Sequence, residues 1–154
     1  TPELLELCKY IKYIVCSKGF AETVTGMKFD YSNPSILVAI YNKLQDKYPN
    51  SNIVITLEEK GCLYQVGNEI KIMPGLKVNA VDTTGAGDIF HGAFTYGIAN
   101  NFDMEKTITL ANIAAGLSVT KIGSRLSIPT LSEVLDYYAK KTGMVNNNDN
   151  KQNS

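Results

Sequence analysis

The sequence VDTTGAGDIFHGAF, residues 81–94, limits the possible fold more than any other stretch of the chain. Apolar residues at helical spacing predict a helix from Ile89 onward. The small residues Gly85, Ala86 and Gly87 then fall in the first turn of that helix. Because a glycine costs about 0.5–1 kcal/mol relative to alanine inside a regular element, this turn must require bare backbone for some purpose.

The first turn of a helix attracts an anion, because its unpaired amide N–H groups point outward and carry about half a positive charge. Asp88 lies in the same turn and would repel a bound anion. Its presence suits a second task, the removal of a proton from a hydroxyl group that attacks a bound phosphorus atom. The spacing alone leaves one alternative open, a tight strand-to-helix turn in which Asp88 interacts with the helix dipole.

The rest of the chain has the pattern of an α/β domain. Apolar runs at 13–17 and 52–57 predict buried strands, with a helix from Pro34 between them. Gly67 and Asn68 separate two short apolar runs and predict a hairpin. An extended segment and three helices are predicted downstream, at 78–81, 89–100, 104–122 and 131–140. Thr130 and Glu133 have the spacing of a capping box at the start of the last helix.

Charge and composition disfavour several classes of partner. The 154 residues include 15 Lys and Arg and 15 Asp and Glu, so net charge favours neither nucleic acid nor an acidic membrane surface. No apolar run approaches the roughly 18 residues of a membrane span. Cys8, Cys16 and Cys62 are widely spaced and form no metal-binding pattern, so we expect reduced thiols in the core. These features predict a cytoplasmic globular protein with no nucleic-acid or membrane partner.

The glycine segment resembles the carboxyl-terminal signature of the ribokinase-like (PfkB) carbohydrate kinases. Further stretches resemble the family in the same order: VTG at 24–26, IVITLEEKGCLY at 53–64 and LANIAAGLSVTKIGSRLSIPT at 110–130. Several motifs in the right order are more specific than a single glycine pattern. Because the ketohexokinase-like branch also has a Ser-Lys pair at the place of Ser17 and Lys18, the ketohexokinase/fructokinase-like branch is expected to be the nearest.

The resemblance implies a three-layer αβα ribokinase-like fold with a mostly parallel central sheet. It assigns residues 1–142 to the carboxyl-terminal portion of the kinase domain, and the polar residues 143–154 are expected to be a disordered tail. The family's amino-terminal sugar-binding motifs and lid are not recognisable in this sequence. The chain is therefore expected to be the nucleotide-binding and catalytic half of a longer parent, for which a homodimer is an option.

The implied activity is ATP-dependent phosphorylation of a hydroxyl group of a sugar, with ATP and Mg²⁺ as cofactors and K⁺ as a further option. Two alternatives stay open. One is a non-catalytic remnant or partner-binding module, and the other is a nucleoside kinase of the same fold. The intact D-T-T-G-A-G-D segment favours an enzyme, whereas the absent amino-terminal motifs favour the remnant for this chain alone.

By the same resemblance, Asp88 is the general base of the reaction. The backbone of Gly85, Ala86, Gly87 and Asp88 is the implied anion hole for the γ-phosphate. Family members that use a monovalent cation hold it beside this turn through oxygen-bearing groups, which suit a hard cation such as K⁺. The corresponding residues of this chain are Asp82, Thr84, Ser118, Gly123 and Ser127.

The resemblance also implies a set of ATP-binding residues: Thr56, Glu58, Gly61, Gly85, Gly87, Asn112 and Gly116. Glu58 stands where the family's T-L-G-x-x-G turn has its first glycine, and glutamate tolerates a positive φ poorly at such a position. The helix around Asn112 contains small residues that are equally consistent with close helix packing.

Two further positions bear on metal and substrate binding. Many family members have Asn-x-x-Glu after the first of these strands, but this chain has Ser17 and Phe20 there, so Mg²⁺ is expected to be held mainly by ATP. His91 is the single histidine and lies one helical turn after Asp88. It is a candidate substrate contact, although a surface or packing histidine is the more common outcome.

Overall fold

The computed structural model describes residues 1–123 and 125–143. The chain divides into two compact units, Thr1–Leu76 and Lys77–Ser154. The tail predicted over 143–154 lies outside the described residues, except for Gly143, which follows the last helix. No helix among the described residues is long and apolar enough to cross a membrane.

The first unit is built around a four-stranded sheet. Its elements are α1 (Pro2–Leu7), a 3₁₀ turn (Cys8–Tyr10), β1 (Tyr13–Ser17), α2 (Lys18–Thr25), α3 (Pro34–Lys47), β2 (Asn52–Thr56), a second 3₁₀ turn (Glu58–Lys60), β3 (Cys62–Val66) and β4 (Glu69–Met73). The strands lie in the order β1-β2-β3-β4. In the parallel pair, Tyr13 lies opposite Asn52 and Ser17 lies opposite Thr56, so β1 and β2 end at the same edge.

The α/β class predicted from the sequence is confirmed, and the four described strands form a mixed sheet. The parallel arrangement is limited to β1 and β2, which α2 and α3 connect as a crossover. The predicted hairpin is present, with Gly67 and Asn68 between β3 and β4. Gly67 has a φ of 59°, as a two-residue hairpin turn requires. This hairpin and the antiparallel pairing of β2 with β3 replace the mostly parallel sheet that was expected.

Apolar side chains from α3 and the sheet form the core of the first unit. The buried face of α3 repeats at helical spacing. The core cluster consists of Cys8, Ile14, Cys16, Ala21, Leu37, Ile40, Tyr41, Leu44, Tyr48, Ile53, Ile55, Leu57 and Leu63. All three cysteines are free and buried, as predicted. Burial raises the pKa of Cys16 and of Cys62 to about 12, so both remain protonated thiols at neutral pH.

The turn after β2 keeps a left-handed residue although no glycine stands at that position. Glu58 has a φ of 57°, in the region that costs an L-residue roughly 1–2 kcal/mol. Gly61 follows with a φ of 96°, and a Cβ at Gly61 would overlap the carbonyl oxygen of Met73. The chain leaving β4 therefore packs backbone against backbone on this turn and fixes its shape.

The second unit contains three described helices: α4 (Ala86–Ala99), α5 (Met104–Ser118) and α6 (Leu131–Thr142). Helices α4 and α5 pack closely at Gly97, where a Cβ would lie 2.7 Å from side-chain atoms of Thr107. The predicted capping box is present at the start of α6, with Thr130 and Glu133 each binding the backbone of the other.

Helix α5 ends at Ser118 rather than at the predicted residue 122. The carbonyl oxygen of Val119 accepts the amide N–H of Val81 at 2.7 Å, so it is not used by a further helical turn. The extended segment predicted at 78–81 forms no strand among the described residues, because its hydrogen bonds go to this turn and not to a neighbouring strand.

Two buried tyrosines of the first unit give a matched stability test. The Tyr41 hydroxyl donates to the carbonyl oxygen of Ile53 at 2.9 Å, whereas the Tyr48 hydroxyl has no hydrogen-bond partner within the described residues. We expect Tyr41→Phe to lower the free energy of unfolding by about 1 kcal/mol, the usual contribution of a hydrogen bond. Tyr48→Phe should leave it unchanged or raise it, because an unpartnered buried hydroxyl is destabilising. Urea denaturation measures both, and a larger loss for Tyr48→Phe would contradict this description.

The strained turn gives a second test. We expect Glu58→Gly to raise the free energy of unfolding by about 0.5–1 kcal/mol, because relief of the positive φ outweighs the added chain entropy of glycine. Glu59→Gly is the control, since Glu59 lies in the same turn without a positive φ. It should lower the free energy of unfolding by a similar amount. Thermal denaturation measures the stability of both variants. If both substitutions change the stability in the same direction, Glu58 is not strained.

Candidate functional site

Helix α4 begins at the small residues that the sequence singles out. Gly85 is its N-cap residue, with a φ of 78°, and Ala86, Gly87 and Asp88 form the first turn. The amide N–H of Ala86 donates to the carbonyl oxygen of Thr83 at 3.3 Å. Within the described residues, the amides of Gly87 and Asp88 have no acceptor. Two N–H groups at the positive end of this 14-residue helix are thus available to an anion.

The N-terminus of α4 differs from those of the other long helices. Helices α2, α3, α5 and α6 each begin at a residue whose side chain accepts a backbone N–H of the first turn: Ser17, Asn33, Asp103 and Thr130. The N-cap of α4 is Gly85, which has no side chain to do so. A serine or aspartate there would satisfy one amide of the first turn. The free amides of α4 therefore follow from the choice of glycine at its cap.

The local fold does not require a glycine at position 87. Gly87 lies inside α4 without a positive φ, and a Cβ added to it would meet nothing within 4 Å. Alanine at this position would favour the helix by up to about 1 kcal/mol. Gly85, by contrast, is explained by its positive φ. Local backbone geometry therefore explains why position 85 is glycine, but it does not explain why position 87 is glycine.

Asp88 is exposed and lines a cavity of about 480 Å³ within the second unit. The other lining residues are uncharged and mainly apolar, such as Ile89, Leu110 and Val134. A sugar needs several hydrogen-bonding groups, which these walls do not offer. The cavity thus supplies a carboxylate beside the first turn of α4, and polar contacts to a sugar must come from other residues.

His91, the candidate substrate contact, is exposed and lies one turn after Asp88. Its Nδ1 is 2.6 Å from the carbonyl oxygen of Gly87. A carbonyl oxygen only accepts hydrogen bonds, so Nδ1 must carry the proton in this arrangement. The imidazole ring is therefore fixed to the same turn that presents the free amides, and its contact with a substrate stays a prediction.

The residues predicted to hold a monovalent cation lie at two connected loops. One carboxylate oxygen of Asp82 accepts the amide N–H of Thr84 at 2.9 Å, and the other accepts the amide N–H of Gly123 at 3.1 Å. The hydrogen bonds from Thr84 and then from Gly123 hold the pKa of the Asp82 carboxyl below its ordinary value. The carbonyl oxygen of Gly123 in turn accepts the amide N–H of Ser127 at 2.9 Å. Asp82, Thr84, Gly123 and Ser127 are thus brought together.

The fifth residue of that set, Ser118, ends α5 immediately before the same loop. Both Ser118 and Ser127 are buried. The hydroxyl of Ser118 donates to the carbonyl oxygen of Ala115 at 2.8 Å, so it already has a partner inside the helix. The described residues contain no group of three His, Cys, Asp or Glu side chains that would suit a metal ion.

The remaining candidate ATP contacts lie on two elements. In the first unit, Thr56 ends β2, and Glu58 and Gly61 lie in the turn that follows it. The Thr56 hydroxyl donates to the carbonyl oxygen of Cys16 at 3.3 Å and so ties β2 to β1. In the second unit, Asn112 is buried and Gly116 is half-buried on α5. A spacing of four residues places these two on one face of α5.

The first unit shows the contacts of Ser17 and Phe20, the residues at the positions where the resemblance predicts Asn and Glu in many family members. Ser17 caps α2 by accepting the amide N–H of Phe20 at 3.2 Å, and Phe20 packs against the core cluster. Glu22, two residues later, accepts the amide N–H of Phe29 at 3.0 Å and pairs with Lys28 at 2.9 Å. Its carboxylate is thus committed to a loop and does not replace the missing group.

One contributor to the site could not be predicted from the sequence, the carbonyl group of Val119. This oxygen accepts the amides of Val81 at 2.7 Å and Asp82 at 3.3 Å and so joins the segment before α4 to the turn after α5. A backbone carbonyl leaves no signal in the sequence, because any residue at position 119 would provide it.

Residues 1–131 match the profile of the pfkB family carbohydrate kinases. A ribokinase of Lactococcus lactis subsp. lactis (strain IL1403) is 41% identical over 88 residues, which cover 57% of this chain and 29% of the relative. A deoxyribokinase of Salmonella typhi is 35% identical over 141 residues, which cover 88% of this chain and 45% of the relative. The chain thus spans less than half the length of these relatives.

Solved structures show the same similarity. A ribokinase from Cryptococcus neoformans var. grubii serotype A, in complex with ADP, superposes with a TM-score of 0.78 at 26% identity, over 89% of this chain and 48% of that one. The ribokinase-like fold predicted from the sequence is confirmed. These two relatives are a ribokinase and a deoxyribokinase, so they do not support the expected place in the ketohexokinase branch. The chain belongs to the pfkB family of carbohydrate kinases.

Proposed function

We propose that this chain is the nucleotide-binding and catalytic part of an enzyme that transfers the γ-phosphoryl group of ATP to a hydroxyl group of a sugar. One observation carries the proposal. The free amides of Gly87 and Asp88 lie beside an exposed carboxylate, on a turn where the fold does not require the bare Cα of Gly87. An anion and a proton acceptor can therefore be held at one helix end. Family membership supports phosphate as the anion and a sugar hydroxyl as the proton donor.

In the proposed reaction, the carboxylate of Asp88 accepts the hydroxyl proton as the sugar oxygen attacks the γ-phosphorus atom. The new O–P bond forms while the bond from the γ-phosphorus to the bridging oxygen breaks, and ADP leaves with that electron pair. The amides of Gly85, Ala86, Gly87 and Asp88 are proposed to stabilise negative charge on the transferring group. The amide of Ala86 is the least available of those in the first turn, because it already donates to Thr83.

Further nucleotide contacts are proposed in each of the two units. In the first unit, Thr56, Glu58 and Gly61 lie at or just after the carboxyl end of a strand from the parallel pair, where α/β proteins commonly bind ligands. In the second unit, Asn112 and Gly116 share a face of α5. The ADP found with the Cryptococcus ribokinase supports a nucleotide for this family member.

The metal ion of the proposed reaction is Mg²⁺ held mainly by the phosphates of ATP, where it would neutralise part of their charge. The residues present fit this arrangement, because Phe20 is apolar and the carboxylate of Glu22 is already used by Phe29 and Lys28. Neither side chain offers the protein ligand that many family members provide. This chain's own contribution to charge neutralisation is therefore proposed to come from the α4 amides.

We also propose a monovalent cation such as K⁺ at the loops around Asp82. The carboxylate of Asp82 and the carbonyl of Gly123 lie within one hydrogen-bonded arrangement, and hard cations prefer such oxygen ligands. Thr84, Ser118 and Ser127 complete the proposed set. Calorimetric titrations of Mg-ATP in K⁺ and in choline buffer show whether the cation contributes to nucleotide binding.

The acceptor is proposed to be a pentose or a related sugar, because the named relatives are ribokinases and deoxyribokinases. The Ser17-Lys18 pair instead favours the ketohexokinase branch, and a nucleoside is a further option within the same fold. His91 is proposed to contact the acceptor, since its ring is fixed beside Asp88. A panel of pentoses, ketohexoses and nucleosides, tested with the intact protein that contains this chain, distinguishes these acceptors.

The second candidate function is a non-catalytic remnant or partner-binding module. One observation favours it, the apolar Phe20 at the position of the family's metal-organising glutamate. For the enzyme, the three free cysteines support the predicted cytoplasmic location. A homodimer and the absence of a nucleic-acid partner stay predictions.

Asp88→Asn tests the assignment of the general base in the intact protein that contains this chain. We expect turnover to fall at least about 100-fold, because asparagine cannot accept the proton, while the Kd for Mg-ATP stays within about threefold. Asp136→Asn is the control, since it removes an exposed carboxylate of α6 that does not line the cavity beside Asp88. Turnover of Asp88→Asn within a factor of about ten of wild type would refute the base assignment. A wild-type protein that binds Mg-ATP without any turnover would favour the remnant.

A further inference from the structure

Three hydrogen bonds join two loops of the second unit at Val81 and Asp82, and a fourth lies within one of these loops. The carbonyl oxygen of Val119 accepts the amides of Val81 at 2.7 Å and Asp82 at 3.3 Å. The carboxylate of Asp82 accepts the amide of Gly123 from the same loop at 3.1 Å and the amide of Thr84 from its own loop at 2.9 Å. The segment before α4 is thus attached to the turn after α5 through both the backbone and the side chain of position 82.

The two oxygens of this carboxylate have separate partners. Oδ1 binds the amide of Thr84 and so fixes the chain that leads into α4, whereas Oδ2 binds the amide of Gly123 across the gap between the loops. Hydrogen bonds to an ionised carboxylate are shorter and stronger than those between neutral groups. Asp82 is half-buried, so water competes less for its oxygens than it would at a fully exposed side chain.

The path from Asp82 to the free amides is short. Gly85, the N-cap of α4, follows only three residues later, and the N–H of Ala86 donates to the carbonyl oxygen of Thr83 at 3.3 Å. A chain that is fixed at Asp82 and Thr84 and closed by this turn has little freedom at Gly85. The position of the first turn of α4 therefore depends on where the Asp82 carboxylate is held.

We infer that Asp82 is a positioning residue whose carboxylate links the Thr84 and Gly123 amides and thereby holds the free amides of Gly87 and Asp88 in place for an anion. This inference rests on the proposed function of the α4 turn. The link needs no cation, because both carboxylate oxygens already have N–H partners. A cation bound to the same oxygens would add to the link, and its removal would leave the two hydrogen bonds intact.

The test uses the ¹⁵N-labelled chain in a buffer with choline as the only monovalent cation. Amide hydrogen exchange is measured at Gly123, and the amide resonances of Gly87 and Asp88 are followed during a titration with Mg-ATP. Asp82→Asn is compared with Asp103→Asn. The control removes the same charge from the other end of α5, where Asp103 caps the helix by accepting the amide of Lys106 at 2.8 Å. Asparagine serves equally well at such a cap.

For Asp82→Asn, we expect Gly123 exchange at least about tenfold faster than in wild type and a Kd for Mg-ATP about tenfold weaker, while Asp103→Asn changes neither. Exchange at buried α4 residues such as Phe94 should stay as in wild type, because the helix packing does not depend on the link. Two results would overturn the inference. One is unchanged Gly123 exchange in Asp82→Asn, and the other is faster exchange with an unchanged Kd, which would mean a purely structural link.

A measurement on the wild-type chain keeps the inference testable if Asp82→Asn does not fold. A scalar coupling through the hydrogen bond, from the amide nitrogen of Gly123 to the carboxyl carbon of Asp82, reports the link directly. Its absence in choline buffer together with its appearance in K⁺ buffer would show that a cation is needed. If the coupling is present but Mg-ATP does not move the resonances of Gly87 and Asp88, the proposed function fails while the link itself stands.

Discussion

The free amide groups at the start of α4 are the feature on which the account of this chain depends. Helices α2, α3, α5 and α6 each satisfy a first-turn amide with a side-chain oxygen from the N-cap, as Asp103 and Thr130 do. Gly85 cannot do this, and Gly87 keeps the space in front of the amides open at a position where alanine would favour the helix. Gly85 is explained by its positive φ, whereas Gly87 reduces local stability and has a reason if phosphate oxygens occupy that space.

Holding such a turn in place is a separate physical requirement, because a loop with two glycines has little stiffness of its own. The fold meets it by joining the turn to the end of α5, through the carbonyl of Val119 and the carboxylate of Asp82. The ending of α5 at Ser118 is part of the same arrangement, since a longer helix would use the Val119 carbonyl internally. The proposed anion-binding turn of α4 and the ending of α5 are thereby linked within the second unit.

The elements that depend on local pattern could be predicted from the sequence, and those that depend on long-range backbone contacts could not. The strands β1 and β2, the hairpin at Gly67 and the capping box of α6 each have a signal in neighbouring residues. The end of α5 at Ser118 has no such local signal, because it depends on a hydrogen bond between residues 81 and 119. Glu58 is a third case. Glutamate disfavours a positive φ, but the chain that follows β4 packs tightly on this turn and favours a positive φ at position 58. The site could be located through the glycine segment, whereas its Asp82 link could not.

The claim that the open space at Gly87 is used by phosphate is tested most directly by calorimetric titration of Mg-ATP into this chain and two alanine variants. Gly87→Ala fills the proposed phosphate position, and Gly92→Ala adds the same methyl group farther along α4, where a Cβ would also meet nothing within 4 Å. We expect a Kd at least about tenfold weaker for Gly87→Ala alone, with a melting temperature no lower than that of wild type. A folded wild-type chain that does not bind Mg-ATP, or a Gly87→Ala variant that binds it as wild type does, would contradict the account.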